Sequence, residues 1–229
     1  MTTQILTPQR FVSAKRLQES IVSGPEKAIL VKLATLTPGW INSDHLTLLG
    51  FFSQCAAGVC YAIARWHRSA LLVGILFIAL NWLGDSLDGT LARFRKRERP
   101  RYGFYVDHIT DTFAAFFLMG GLAFSGFVHP AIAFGLLISF LMLSIEAYLA
   151  TYTLGQFRLS YWRFGPTEIR ILLAIGNLAL LHHPVVKLFG RHVQLFDIGG
   201  TVAIMGMAMM LIVSAISHTA KLYREETAA

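Results

Sequence analysis

The chain has 229 residues, 55% of them hydrophobic and only 14% charged, with a mean hydropathy of +0.55. A soluble domain carries about 25% charged residues, so this composition excludes an ordinary water-soluble enzyme and leaves room for six membrane spans joined by short loops. The formal charge of +7 is spread over membrane-flanking loops, which fits attraction to anionic lipid headgroups or an anionic substrate and argues against nucleic acid as a partner.

The opening stretch, MTTQILTPQRFVSAKR, lacks the apolar core and small-residue cleavage site of a secretory signal, so the chain is expected to enter the membrane through its first span. Residues 9–36 interleave Phe11, Leu17, Ile21, Ala28, Leu30, Leu33 and Leu36 with Arg10, Lys15, Arg16, Lys27 and Lys32. That pattern reads as one or two amphipathic helices lying on the membrane surface, interrupted at Gly24-Pro25. Residues 1–42 are thus expected to form an interfacial segment and 43–229 the membrane domain. Spans are expected at about Leu46–Ala64, Ala70–Asp88, Phe104–Phe124, Pro130–Thr153, Thr167–Leu181 and Ile198–Ser217. Each is near the length that a hydrocarbon layer of about 30 Å demands. Ser43 or Asp44 is placed to cap the first span. Cys55 and Cys60 fall inside it and read as packing residues, since a zinc pair needs further Cys or His nearby.

Loop charge orients this plan. Of the 20 lysines and arginines, sixteen fall on one side, six of them between Arg93 and Arg101; the other side holds only Arg65, Arg68, Lys187 and Arg191. By the positive-inside rule both termini are cytoplasmic. The expected fold class is therefore all-α integral membrane: six transmembrane helices preceded by an N-terminal amphipathic interfacial helix.

The chemistry lies in four aspartates at the edges of the second and third spans. They are ordered D-x-x-D-G-x-x-A-R, then nine residues, then G-x-x-x-D-x-x-x-D. One Asp near the middle of a membrane helix costs roughly 2.5–3.5 kcal/mol on the insertion scale, and four on facing helices repel one another. Asp85 and Asp88 are three apart and share a helix face; Asp107 and Asp111 are four apart and share another. An antiparallel helix pair turning at residues 94–102 brings all four together near one end. Divalent cations relieve the repulsion, and carboxylate oxygens favour Mg²⁺ or Mn²⁺ over zinc or copper. Two such ions suit phosphoryl transfer. Gly89 and Gly103 allow close approach of a helix or ligand, and Ala92 does so more weakly; Arg93 is placed to meet a phosphate or to act as a loop anchor. No P-loop is present.

The pattern resembles the signature of the CDP-alcohol phosphotransferases, integral membrane enzymes of phospholipid synthesis. Asp85, Asp88, Gly89, Ala92, Arg93, Gly103, Asp107 and Asp111 all match; the departure is a spacer of nine residues where eight are usual, in the loop. The resemblance implies that Asp85, Asp88, Asp107 and Asp111 hold two Mg²⁺ or Mn²⁺ ions and that Asp111 is also the catalytic base. It implies that Gly89, Ala92, Arg93 and Gly103, with Asp85, line the CDP pocket. Thr47 joins them as the matching position of a P-N-x-x-T element, in which Ser43 and Asp44 here replace Pro and Asn. A homodimer is also implied, with Gly120-Gly121 as a candidate packing surface. The activity implied is transfer from a CDP-linked donor to an alcohol hydroxyl with release of CMP.

A second cluster, Glu146, Arg158, Arg163, Glu168 and Arg170, is a candidate site for the acceptor or headgroup. The carboxylates suit an aminoalcohol ammonium, in line with a G-P-x-E element of choline and ethanolamine phosphotransferases matched at Gly165-Pro166-Thr167-Glu168. The arginines suit a sugar phosphate or glycerol phosphate. CDP-diacylglycerol is favoured as donor, with CDP-choline or CDP-ethanolamine as the alternative. His108 reads as a supporting residue, and the histidines near span ends, His218 among them, as interfacial. A rival of another class is an ion-coupled transporter, since carboxylates also line ion paths; it requires neither the Gly-x-x-Ala-Arg element nor a nucleotide pocket.

Overall fold

A computed structural model of the chain describes residues 15–17, 22–158, 165–188 and 190–227. Seven helices dominate the described residues: α1 (Ser23–Leu36), α2 (Ser43–Ala64), α3 (Ala70–Phe94), α4 (Pro100–Phe124), α5 (Pro130–Leu154), α6 (Pro166–His182) and α7 (Leu195–Thr227). Two short ribbons accompany them. β1 (Lys15–Leu17) pairs in parallel with β2 (Gln156–Arg158), and β3 (Val185–Leu188) pairs antiparallel with β4 (Arg191–Gln194) between α6 and α7.

The helix starts follow local chemistry. α4, α5 and α6 each begin on a proline, where the missing N–H has no intrahelical role and the fixed φ suits the first turn. The same effect corrects one expectation: Gly24-Pro25 does not interrupt a helix but lies in the first turn of α1. A second correction concerns α2. Its N-cap is Asn42, whose N–H donates to His45 Nδ1 at 3.1 Å, while Asp44 pairs with Arg99. α5 ends at Gly155, whose φ of +64° is the left-handed cap that favours glycine.

α2 is the hub, packed along both α3 and α4. Glycines make the approach possible. A Cβ on Gly84 would lie 2.5 Å from Gly50 N and 2.6 Å from Leu46 O, and one on Gly121 would strike the Gly58 carbonyl. Such backbone-to-backbone crossings are a recurrent device of membrane helices. They reassign Gly121, which packs against its own chain instead of standing ready for a second subunit; Gly120 beside it faces open space. Away from the aspartates, Ala57, Tyr61, Ala64, Leu71, Ile78, Leu118 and Leu122 form the main apolar core. Under α1, Leu30, Ala34, Leu46, Leu87 and Leu91 form a smaller one.

α2, α3, α5 and α7 are long and apolar enough to cross a membrane. The outward faces stay apolar, as in the exposed Phe52, Phe113, Phe117 and Ile216, which suits contact with lipid and not water. The chain is thus an all-helical integral membrane protein. The two other expected spans fall short for different reasons: Asp107 and Asp111 lower the apolar character of α4, and α6 has only 17 residues, a length of about 25 Å.

Candidate active site

α3 and α4 run antiparallel through a turn at residues 95–99, and Arg95 anchors that turn. Its guanidinium donates to the carbonyls of Thr37 and Pro38 at 2.8 and 2.9 Å and to that of Ile41 at 2.5 Å, locking the α3–α4 turn onto the α1–α2 turn. In sequence Arg95 is one of six basic loop residues, and nothing in its spacing singles it out.

With the pair so held, Asp85 of α3 and Asp107 and Asp111 of α4 each bring a carboxylate oxygen within 4.8 Å of the others. Two charges at that separation repel by roughly 3 kcal/mol at an effective dielectric of ~20. Arg170 of α6 answers part of this: its Nη2 donates to Asp85 Oδ2 at 2.5 Å and its Nε to Asn81 Oδ1 at 2.8 Å. Asn81 in turn donates to the Gly50 carbonyl at 3.0 Å, so α2, α3 and α6 are joined through one polar chain. Among the described residues the three carboxylates meet one guanidinium, that of Arg170, and the His108 ring, whose Nδ1 lies 3.8 Å from Asp107 Oδ2. The donor set, all oxygen and partly open to a cleft, fits a hard divalent cation.

Asp88, the fourth aspartate, stands outside the group of three. Its Oδ2 accepts from Thr47 Oγ1 at 2.7 Å, and its other oxygen lies against the Gly89 N–H. Thr47 and Asp88 form one wall of the cleft whose other walls include Phe51, Asp85, Asp107, Thr110 and Asp111. Gly89 packs against the Arg93 guanidinium, 3.4 Å from where a Cβ would sit, and Arg93 also bonds Thr90 Oγ1 at 3.2 Å. Ala92 is half-buried and Gly103 exposed, with open space where a Gly103 side chain would be. His108 stacks on Phe104 at 4.1 Å between centroids and meets the Tyr148 ring edge-on at 5.0 Å, bracing α4 against α5.

A family profile for CDP-alcohol phosphatidyltransferase matches residues 40–219 and so spans all four aspartates and every helix from α2 into α7. The chain belongs to the CDP-alcohol phosphatidyltransferase family. It is also similar to the archaetidylinositol phosphate synthase of Methanothermobacter thermautotrophicus, at 30% identity over 113 residues, or 47% of this chain and 54% of that protein. The chain therefore spans about half the length of the curated relative it matches.

Within this phosphatidyltransferase fold the described side chains of the second cluster, those of Glu146, Glu168 and Arg170, take different partners. Glu146 of α5 meets His218 Nδ1 of α7 at 2.6 Å, so His218 ties two helices together. Glu168 is buried; its Oε2 accepts the Gly165 N–H at 2.9 Å and its Oε1 the Val22 N–H at 3.2 Å. Those two backbone groups are among its partners. Among the described side chains of the five, Arg170 reaches the aspartates. Arg158 is described by its backbone alone, as the last residue of β2, and Arg163 lies outside the described residues. Sequence reasoning missed Asn81, although a buried amide one turn before Asp85 in an apolar span is itself a signal.

Proposed function

We propose that the chain is a metal-dependent membrane enzyme that transfers a phosphatidyl group from CDP-diacylglycerol to the hydroxyl of a small alcohol, releasing CMP. The observation that carries this reading is the meeting of Asp85, Asp107 and Asp111 within 4.8 Å on facing helices, beside the cleft edged by Thr47 and Asp88. The site is assigned as follows. Asp85, Asp88, Asp107 and Asp111 hold two Mg²⁺ or Mn²⁺ ions, whose charge, when bound, neutralises the pyrophosphate. Thr47, Gly89, Ala92, Arg93 and Gly103 line the CDP pocket with Asp85. The acceptor oxygen attacks the phosphorus that carries the diacylglycerol; the bridging P–O bond breaks and CMP leaves with its electron pair. Asp111 takes the hydroxyl proton, which requires it within hydrogen-bond reach of the acceptor. Positioning supplies most of the remainder.

The relative's name, archaetidylinositol phosphate synthase, supports a polyol phosphate as acceptor, and Arg158, Arg163 and Arg170 supply cationic candidates for it. The aminoalcohol alternative leaned on Glu146 and Glu168, and their engagement with His218 and with two backbone N–H groups weighs against it. We place the membrane domain at 43–229 with six spans, α4 and α6 included, and an interfacial segment at 1–42. Loop charge puts both termini and the aspartates on the cytoplasmic side, and the active unit is taken to be a homodimer.

The test is CMP release by the purified protein with Mg²⁺ or Mn²⁺. CDP-diacylglycerol is offered with inositol phosphate, glycerol phosphate or serine, and CDP-choline or CDP-ethanolamine with diacylglycerol. Release from CDP-diacylglycerol, lost on adding EDTA, is the expected result. Release from the CDP-aminoalcohols alone moves the chain to the other branch, and ion flux without CMP supports a transporter.

A further inference from the structure

α1 carries a buried acid that the reaction above does not use. Glu26 is only 8% exposed, and its Oε1 accepts three hydrogen bonds from two different helices. Trp82 Nε1 donates at 2.7 Å and Ser86 Oγ at 3.2 Å from α3; Thr167 Oγ1 donates at 2.8 Å from α6. The donors bracket the Asp85–Arg170 ion pair. Trp82 precedes Asp85 by three positions and Ser86 follows it directly, while Thr167 precedes Arg170 by three. One oxygen thus gathers the single turn of α3 that presents Asp85 and the single turn of α6 that presents Arg170. The join is reciprocal, because Glu168 at the start of α6 accepts the Val22 N–H at the start of α1. A burial this deep is unfavourable for a carboxylate unless strong donors surround it, and here every donor is neutral and sits beside the reactive cluster.

We infer that Glu26 is a positioning residue: through Trp82, Ser86 and Thr167 it sets the spacing of Asp85 against Arg170, and with it the affinity of the aspartate cluster for a divalent cation. This rests on the reading of that cluster as the reactive site. It also gives α1 a role beyond lying on the membrane surface, since seating α1 completes the clamp from outside the bundle.

The experiment compares the wild type with Glu26→Ala, Glu26→Gln and Thr167→Val in the full-length protein in detergent. Mn²⁺ affinity is read by electron paramagnetic resonance without substrate, and CMP release and thermal melting are measured in parallel. Glu26→Ala is expected to weaken Mn²⁺ binding by about tenfold, as loss of an outer-shell partner does, and to lower kcat with little change in KM for the CDP donor. Glu26→Gln keeps an accepting oxygen and restores most of both. Thr167→Val, which removes one donor from α6 with little change of shape, gives a smaller loss in the same direction. A lower melting temperature in Glu26→Ala with wild-type Mn²⁺ affinity and kcat in the folded protein overturns the inference. Should Glu26→Ala not fold, unchanged Mn²⁺ affinity in Thr167→Val overturns it alone. A protein that binds Mn²⁺ and responds to these variants but releases no CMP from any donor sinks the functional reading and leaves the clamp standing.

Discussion

The two ends of the α2–α3–α4 bundle are built on opposite principles. At the far end the helices meet through Ala57, Tyr61, Leu71, Leu118 and Leu122 and through the Gly58–Gly121 crossing, with dense apolar contact and backbone touching backbone. At the aspartate end the same helices hold three carboxylates together against their own repulsion, restrained by Arg170, Asn81, Thr47 and Arg95. The difference assigns the work of folding. Interiors packed to crystal density are stiff, so the apolar end fixes the helix spread, and the polar end is held in a geometry that its charges alone would not choose. Substitutions at the aspartate end are therefore expected to remove activity with the fold intact, and those at the far end to remove the fold.

The largest effect is expected at Asp111. Asp111→Asn keeps the shape and removes the proposed base, so CMP release should fall roughly 10²- to 10⁴-fold, the range general-base catalysis contributes, with the melting curve close to wild type. A drop in activity matched by a drop in melting temperature would erase the contrast between the two ends.

Gly121→Val attacks the other end. Its branched side chain enters space held by the Gly58 carbonyl, and overpacking of this kind costs about 1–3 kcal/mol or more. Loss of the folded monomer in a detergent melting assay is the expected outcome. Gly120→Ala is the control one residue away: nothing stands within 4 Å of the added methyl, and replacing a helical glycine should be neutral or stabilising by up to about 1 kcal/mol. Equal damage from both would show that the Gly58–Gly121 crossing is not what sets the helix spread.

Much of this was legible in the residues. Apolar runs put helix starts at Ala70 and Pro130 and an end at Phe124, as observed, because the starts follow closely on a charged residue or fall on proline and the end is followed by Ser125-Gly126. The continuation of α3 past its apolar run to Phe94 agrees with the turn expected at 94–102, whereas the extension of α7 to Thr227 was not legible, since a helix that leaves the hydrocarbon layer keeps its hydrogen bonds but loses its apolar signature. The meeting of Asp85, Asp107 and Asp111 followed from i,i+4 stacking and an antiparallel turn. The partners did not follow. Arg170 is 85 residues from Asp85 in sequence and Thr47 is 41 from Asp88, and helical periodicity says which face a residue occupies but not which helix faces it. Glycines share that limit: Gly121 is visibly small, while its use against Gly58 depends on the crossing of two helices.

Thr47→Val sharpens the comparison at smaller scale. The Thr47 hydroxyl lies 2.7 Å from Asp88 and 3.1 Å from the Ser43 carbonyl, so it holds the carboxylate that stands apart from the other three. A hydrogen bond to a charged group is worth about 1.5–3 kcal/mol, and a fall of about tenfold in kcat/KM with unchanged melting is expected. Mn²⁺ titration in the same variant separates a loss of metal affinity from a loss of CDP binding.

The smallest effect on activity is expected at the far end, where polarity is the exception. Tyr61 OH donates to Asn177 Oδ1 at 2.8 Å, joining α2 to α6, yet the Asn177 amide nitrogen, fully buried, has no partner among the described residues. Tyr61→Phe leaves a second buried group unpaired and should destabilise by about 1–3 kcal/mol, with kcat and KM unchanged because no aspartate is near. Removing both polar partners is a different matter. A buried pair replaced by apolar groups of similar shape is often neutral, so Tyr61→Phe with Asn177→Leu should recover most of the lost melting temperature. Recovery would mark the pair as dispensable in an end that works by apolar contact. Failure to recover, with activity also reduced, would mean that α6 is registered against α2 by this hydrogen bond, and that Arg170 reaches Asp85 partly because Asn177 holds Tyr61.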